Sequence, residues 1–355
     1  MVEIIILIFC GIYLLFFTWQ LFYKFKSFSF EKVDVKVEVI VCFRNEASNL
    51  PRLLNSFSAL DYNVENLKFW LVNDGSEDDG VEIIKSVFSK FEYEILENEG
   101  IGKKAAFNTA MKCVSANFIL TTDADCEVPR DWVHIMVSPL KNGKMLVAGF
   151  VSYFKEEKSF VSQFQQEELM ALVGFSKFFA DFKNPVMCNA ANLAFNKILY
   201  SEALNESKYA SGDDIFLLEK AKKDFPISIV YLSDSVVYTK ALDNFKDIFQ
   251  QKLRWAGKWS GYKDFTMKFL APAMFVFFLC WPLSFVVLEF KWALGILAIK
   301  ILVEYLYFKK MCGFVNKEVD FFYHCMISIL YPLFVMLIAI LSFKGKYVWK
   351  GREVR

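Results

Sequence analysis

Leu120-Thr-Thr-Asp-Ala-Asp-Cys126 decides the fold. The apolar run Asn117-Phe-Ile-Leu120 leads into it and reads as a buried parallel strand. Asp123 and Asp125 then stand where that strand ends, and open α/β sheets bind ligands outside the carboxyl ends of their strands. Carboxylates one residue apart offer hard oxygen ligands for Mg2+ or Mn2+, cations that take few protein ligands and lean on substrate phosphates. Asp-x-Asp is also common in solvated turns, so its meaning depends on what surrounds it.

The flanking chain alternates strand and helix. Val37 to Phe43 is rich in Val and Ile and reads as a strand ending at Arg44-Asn-Glu46. Ala47 to Leu60 has helical spacing. Leu67 to Val72 is a second strand, ending at Asn73-Asp-Gly-Ser76, and a helix with acidic residues in its first turn follows from Asp78. Tyr93 to Leu96 is a third strand, and Gly100-Ile-Gly-Lys-Lys104 opens a helix over Ala105 to Val114. Short loops between alternating elements imply a parallel sheet with right-handed crossovers. Its functional end collects Arg44, Asn45, Glu46, Asp74, Asp123 and Asp125. Asp74 can accept from a base N–H or ribose hydroxyls, Lys103 and Lys104 can meet phosphate oxygens, and Asp123 with Asp125 can add a metal. Together they describe a nucleoside-diphosphate site, although singly Asp74-Gly75 is a frequent turn pair.

Further along, Pro185 to Phe195 is a small-residue loop beside an apolar strand. Ser211-Gly-Asp-Asp214 precedes a helix. One acid there serves as N-cap, and the second, Asp214, is a candidate general base. In Gln251-Lys-Leu-Arg-Trp255, the residues Gln251, Arg254 and Trp255 share one helical face. Arg254 can stabilise departing diphosphate, Gln251 can hydrogen-bond a phosphate or hydroxyl, and Trp255 offers a platform for a sugar ring. The same helix reads as interfacial, with Trp255, Trp259 and Tyr262 at headgroup level and Lys252, Lys258 and Lys263 facing water.

The chain has 355 residues, 55% hydrophobic and 18% aromatic, and the apolar excess lies at its two ends. Ile4 to Tyr23 carries no charge and is long enough to cross a bilayer. No small-x-small cleavage site follows, so a retained anchor is expected. Lys24, Lys26 and Lys32 come next, which puts the following domain in the cytoplasm by the positive-inside tendency. Leu270 to Phe290, Trp292 to Phe308 and Phe321 to Phe343 are further candidates. Three crossings after the anchor would leave the basic tail Lys344 to Arg355 outside, so the short, charged Trp292 to Phe308 is expected to lie in the interface or re-enter. The expected domains are an anchor over 1–24, a cytoplasmic domain over 30–263 with an interfacial helix at 244–263, and a membrane segment with two or three spans over 264–355.

A net charge of +1, with no basic block ahead of the tail, gives no footing for a nucleic-acid partner. Cys10, Cys42, Cys113, Cys126, Cys188, Cys280, Cys312 and Cys325 are scattered, which excludes the usual zinc spacings and fits a reducing compartment.

Val41-Cys-Phe-Arg-Asn-Glu46, Val72-Asn-Asp-Gly-Ser76, Gly102-Lys-Lys-Ala-Ala106 with Asn108, Asp123-Ala-Asp125, Asn189-Ala-Ala-Asn192, Gly212-Asp-Asp214 and Gln251-Lys-Leu-Arg-Trp255 occur in that order. The set resembles the family 2 inverting glycosyltransferases with a GT-A fold, particularly the membrane-attached ones. The tail Trp349-Lys-Gly-Arg352 also resembles those of such enzymes. The departures are Asn73 where an acid is frequent and Asp213 where Glu is frequent.

The resemblance implies an α/β GT-A domain with N- and C-terminal transmembrane helices, in a bacterial-type plasma membrane. It makes Asp74 the nucleobase contact and Asp123 and Asp125 the ribose and Mg2+ or Mn2+ contacts. It makes Asp214 the base, and Gln251, Arg254 and Trp255 the diphosphate and acceptor clamp. The implied reaction is a single displacement from a nucleotide-sugar, on family grounds a UDP-sugar, to a lipid-borne hydroxyl. The rivals are a processive polysaccharide synthase and a non-catalytic nucleotide-sugar-binding membrane protein.

Overall fold

The structure is a computed structural model that describes residues 1–155, 158–200, 213–257, 261, 263–342, 347–349 and 352–354. The chain forms two compact units: Phe25–Phe154 with Phe175–Lys240, and Met1–Lys24 with Lys155–Gly174 and Ala241–Arg355. Helix α6 (Phe160–Asp181) contributes residues to both.

The first of these units is a mixed sheet clothed by helices. Strands β1 (Val37–Phe43), β2 (Leu67–Asn73), β3 (Glu92–Glu97) and β4 (Phe118–Thr121) alternate with helices α2 (Leu50–Ser58), α3 (Gly80–Val87) and α4 (Lys103–Cys113). Then come β5 (Cys126–Glu127), α5 (Trp132–Lys141), β6 (Leu146–Tyr153), β7 (Leu193–Asn196), α7 (Asp213–Asp224) and β8 (Ile229–Thr239). The strand order is β3-β2-β1-β4-β7-β6-β8-β5. β1 lies between two parallel neighbours, which is why Val-Glu-Val-Ile-Val-Cys-Phe is almost continuously apolar. Successive strands step outward from β1 to β3, and β4 then returns to the other side of β1. The strand order therefore reverses between β1 and β4, and a crevice opens at their carboxyl ends.

The parallel sheet expected of the first four strands is present, running from β3 to β4. β7 pairs antiparallel with both β4 and β6, while β6 and β8 are parallel. β7 enters the sheet between β4 and β6 and runs against both.

Two buried polar anchors fix this frame. Glu38, in mid-β1 and 5% exposed, accepts hydrogen bonds from Trp70 Nε1 on β2 (2.5 Å) and from the N–H groups of Ser115 (3.0 Å) and Ala116 (2.9 Å) between α4 and β4. Burial opposes its charge, but the hydrogen bonds from Trp70, Ser115 and Ala116 outweigh that and hold the carboxyl below its ordinary pKa. Asn192, fully buried, accepts from Trp132 Nε1 (3.0 Å) and donates to the carbonyls of Phe150 (2.9 Å) and Ser235 (3.0 Å). It thereby ties α5, β6, β7 and β8 together. Its amide lies against Gly149, where a Cβ would come within 2.2 Å.

The other unit is helical. It contains α1 (Val2–Phe22), the first part of α6, α8 (Phe245–Ala256), α9 (Phe265–Val287), α10 (Phe290–Gly313) and α11 (Phe321–Ser342), and the described tail residues pair as β9 (Tyr347–Trp349) and β10 (Arg352–Val354). Three of the described helices, α1, α9 and α11, are long and apolar enough to cross a membrane. Large apolar side chains such as Leu15, Val286 and Ile340 point outward from them.

The third expected segment is not among the described helices long and apolar enough to cross a membrane. α10 is one unbroken helix of 24 residues, about 36 Å at ~1.5 Å per residue. Its charges do not seek an interface. Lys300 and Glu304 are 1% and 5% exposed and pair at 2.8 Å. Lys300 Nζ also donates to the Ser328 carbonyl of α11 (2.7 Å), and Tyr13 of α1 donates to Glu304. These two charges are thus paired inside the helical unit.

The interfacial helix ends earlier than expected, at Ala256, and Asn244 caps its start by accepting from the Asp247 N–H (3.0 Å). Lys258, Trp259 and Tyr262, like Ser211, Gly212 and tail residues 343–346, 350, 351 and 355, lie outside the described residues. Lys263 is exposed, as expected, but Lys252 is not: it is 6% exposed and ion-paired with Glu168 of α6.

Candidate active site

Three of the sequence-selected groups, Lys103, Asp123 and Asp214, meet in the crevice between β1 and β4. Ile40 and Cys42 of β1, Thr121 at the end of β4 with Thr122 and Asp123 just past it, Lys103 at the start of α4, Ala190 and Leu193 before and in β7, and Asp214 with Leu217 of α7 line one pocket. Gly102 makes the turn into α4 with φ 90°, a conformation open to glycine, and this turns Lys103 into the pocket. Lys103 Nζ pairs with Asp123 Oδ1. Burial weighs against the ammonium, but the charges of Asp123, Cys42 and Asp214 and the Asp123 hydrogen bond raise its pKa, so it stays cationic.

Asp214 sits in the first turn of α7. Its Oδ1 accepts from the Ile215 N–H (2.9 Å) and its Oδ2 from the Ala190 N–H (3.2 Å). The small-residue loop is thus a support for this acid. Asn189 accepts from Ala191 N–H (3.0 Å) to form the turn that presents Ala190. Cys188 Sγ donates to the Asp214 carbonyl (3.2 Å), and burial pushes its thiol pKa well up, so it is no nucleophile.

Asp125 is half-buried, two residues past Asp123. Burial, then the charges of Asp123 and Glu46, push its carboxyl up to about 6. A carboxylate so destabilised calls for a cation. The donor set fits a hard divalent ion: two carboxylates one residue apart, beside an ammonium that already balances one of them. No cluster of three or more His, Cys, Asp and Glu side chains suited to a metal forms among the described residues. Further ligands would therefore come from diphosphate oxygens and water.

Asp74 is 5% exposed, and its Oδ1 accepts from Asn98 Nδ2 (2.6 Å) and the Gly102 N–H (2.9 Å). It braces the turn that aims Lys103. Asn73, where an acid is frequent, donates to both Glu97 oxygens (3.1 and 3.0 Å), so the acid at this sheet edge comes from β3. Arg44 is buried, its Nη1 donating to the Asp74 carbonyl at 3.5 Å. Glu46 accepts from Asn49 Nδ2 (2.6 Å). Lys104 is buried and is not among the residues lining the pocket that Lys103 lines. Gln251, Arg254 and Trp255 are half-buried on α8, in the other unit.

Sequence reasoning missed Asn98 and gave no individual role to Ala190 or Asn192. Asn98 opens a turn two residues before Gly100, to whose N–H its side chain accepts (3.0 Å), and that Asx pattern was a readable signal. Ala190 acts through its backbone, which no side-chain pattern reveals.

This sheet, its switch point and the acidic crevice define a GT-A domain with a Rossmann-like α/β fold. Residues 38–203 match the family model described as Glycosyl transferase family 2. The chain is 32% identical over 132 residues to Glycosyltransferase GlyA of Streptococcus pneumoniae serotype 4, covering 36% of this chain and 18% of that protein. It is 26% identical over 156 residues to the poly-beta-1,6-N-acetyl-D-glucosamine synthase of Staphylococcus aureus, covering 41% and 37%. The chain spans less than half the length of these curated relatives. Among solved structures, the mannosyltransferase PcManGT of Pyrobaculum calidifontis, in complex with GDP-Man and Mn2+, shares the fold at a TM-score of 0.56 and 16% identity, over 97% of this chain and 99% of that one.

Proposed function

We propose that this protein is a membrane-attached inverting glycosyltransferase that moves a sugar from a nucleoside-diphosphate donor to a hydroxyl on a lipid or lipid-linked acceptor. The observation that carries the reading is the meeting of Lys103, Asp123 and Asp214 in one pocket at the strand-order reversal. The family match over residues 38–203 supports it, and the PcManGT complex shows that a protein of this fold takes a nucleotide-sugar with a divalent ion. α1, α9 and α11 support a membrane-borne acceptor that arrives laterally.

In this reading Lys103 binds a phosphate oxygen, leaving Asp123 for ribose and metal. A divalent ion held by Asp123 and Asp125 would supply positive charge to the departing diphosphate. Asp214, fixed by two N–H donors, takes the proton from the acceptor hydroxyl as it attacks the anomeric carbon. Attack from the face opposite the leaving group inverts the linkage. Gln251 and Arg254 steady the diphosphate, and Trp255 offers a flat face to the acceptor. UDP-sugars remain the first donors to try, with GDP-mannose next because PcManGT takes it.

The test is a screen of UDP-glucose, UDP-galactose, UDP-N-acetylglucosamine and GDP-mannose against the full chain in native lipid extract, with mass spectrometry of the lipids. One sugar added per lipid is expected. The similarity to the poly-beta-1,6-N-acetyl-D-glucosamine synthase favours a second reading, a processive synthase, and a ladder of oligomers would select it.

A further inference from the structure

α8 presents an inconsistency that the motif does not explain. Its buried stripe begins with Ile248, which packs with Phe164 of α6 and Ile327 of α11. One turn on, the stripe continues with Lys252, where an aliphatic residue would be expected. A buried ammonium is expensive unless paired, and a hydrophobic replacement of a buried pair is often neutral or better. Lys252 has two counterparts. Its Nζ contacts Glu168 Oε2 at 2.5 Å, with both side chains 7% exposed, a charge contact without aligned hydrogen-bond geometry. The same Nζ lies 4.0 Å from the centroid of the Trp255 ring. Glu168 in turn accepts from the Tyr331 hydroxyl of α11 at 3.3 Å. A line of polar contacts thus runs from a membrane-type helix through α6 to the indole of the motif.

We propose that Lys252, held by Glu168, is a positioning residue that fixes the Trp255 indole with one face covered and the other open to the acceptor. This rests on the reading of Trp255 as the acceptor platform and goes beyond it, since it gives a role to the motif's unassigned second residue. The physical basis is the ring quadrupole. A desolvated cation over one face of an indole is among the stronger cation–π arrangements, and it resists both tilting and flipping of the ring. Glu168 keeps the cation there, because without it the ammonium would swing toward water and release the ring. A stacking platform that is already ordered loses less entropy when the acceptor binds.

The test uses the full chain, labelled with 5-fluorotryptophan, in phosphatidylglycerol nanodiscs with and without glucosyldiacylglycerol as probe. Trp255→Phe assigns the resonance. In Glu168→Gln the Trp255 signal should shift and broaden, and the apparent affinity for the glycolipid should fall about tenfold, the scale of a lost desolvated cation–π contact. The paired exchange Glu168→Lys with Lys252→Glu separates positioning from mere stability. It should recover thermal stability while leaving the glycolipid affinity low, because a carboxylate then faces the ring. Affinity that recovers together with stability would overturn the proposal, as would a wild-type signal in Glu168→Gln. A wild-type Trp255 resonance indifferent to the glycolipid would instead sink the acceptor reading of Trp255, while the signal of glycolipid-free Glu168→Gln would still decide whether Lys252 sets the ring.

Discussion

Asp125 shows how a site can hold a charge the fold does not want. Its carboxyl is pushed up to about 6 by burial and by Asp123 and Glu46, against an ordinary value of 3.8. A group whose pKa is raised on folding favours the fold at acid pH, and that contribution disappears as the pH climbs through about 6. Above that pH the metal-free protein carries an unfavourable carboxylate. Asp125→Asn should therefore stabilise the metal-free protein by ~1–2 kcal/mol at neutral pH and by nothing below pH ~4. The same substitution should remove the rise in melting temperature that Mn2+ gives the wild type. Thermal melts across pH, with and without Mn2+, check both, and a Mn2+ effect that survives would take Asp125 out of the metal site. The residue pattern exposed Asp123, Asp125, Lys103 and Asp214 because their chemistry is in their side chains. Their supports were less legible: Ala190 contributes an N–H, and Gly102 contributes a turn.

Among the elements, the parallel half of the sheet was readable because each strand is a short apolar run bounded by turn residues. The antiparallel half was not, since β7 is placed by contacts with strands distant in sequence. Within the parallel half, Glu38 was not legible either. A glutamate inside an apolar strand looks like a solvated edge position, yet it is buried and pins β1 to β2 and to the α4–β4 connection. Its lowered pKa contributes stability that is present above the ordinary glutamate range and fades as the pH falls through the folded value. Glu38→Gln should cost about 1–3 kcal/mol at pH 7, with a smaller difference at pH 3, as measured by denaturant unfolding. An equal penalty at both pH values would assign the loss to packing. Lys252 misled because its partner Glu168 lies far away in sequence, and helical periodicity alone assigns a lysine to water.

For the whole molecule, the helical unit is held by a polar clamp through three of its helices: Tyr13 of α1, Lys300 and Glu304 of α10, and Ser328 of α11. Lys300→Met should destabilise the protein in detergent by ~3–5 kcal/mol, because Glu304 is left as a buried charge. The double change Lys300→Met with Glu304→Met should be much milder. A single variant as stable as the wild type would show that the clamp does not hold the helices. The glycosyltransferase reading stands or falls on a different carboxylate. Its most direct test is turnover by Asp214→Asn beside donor binding, using the donor that the screen identifies. Loss of a general base predicts a rate lowered ~10²–10⁴-fold with donor affinity nearly unchanged. A wild-type rate in that variant would contradict the account.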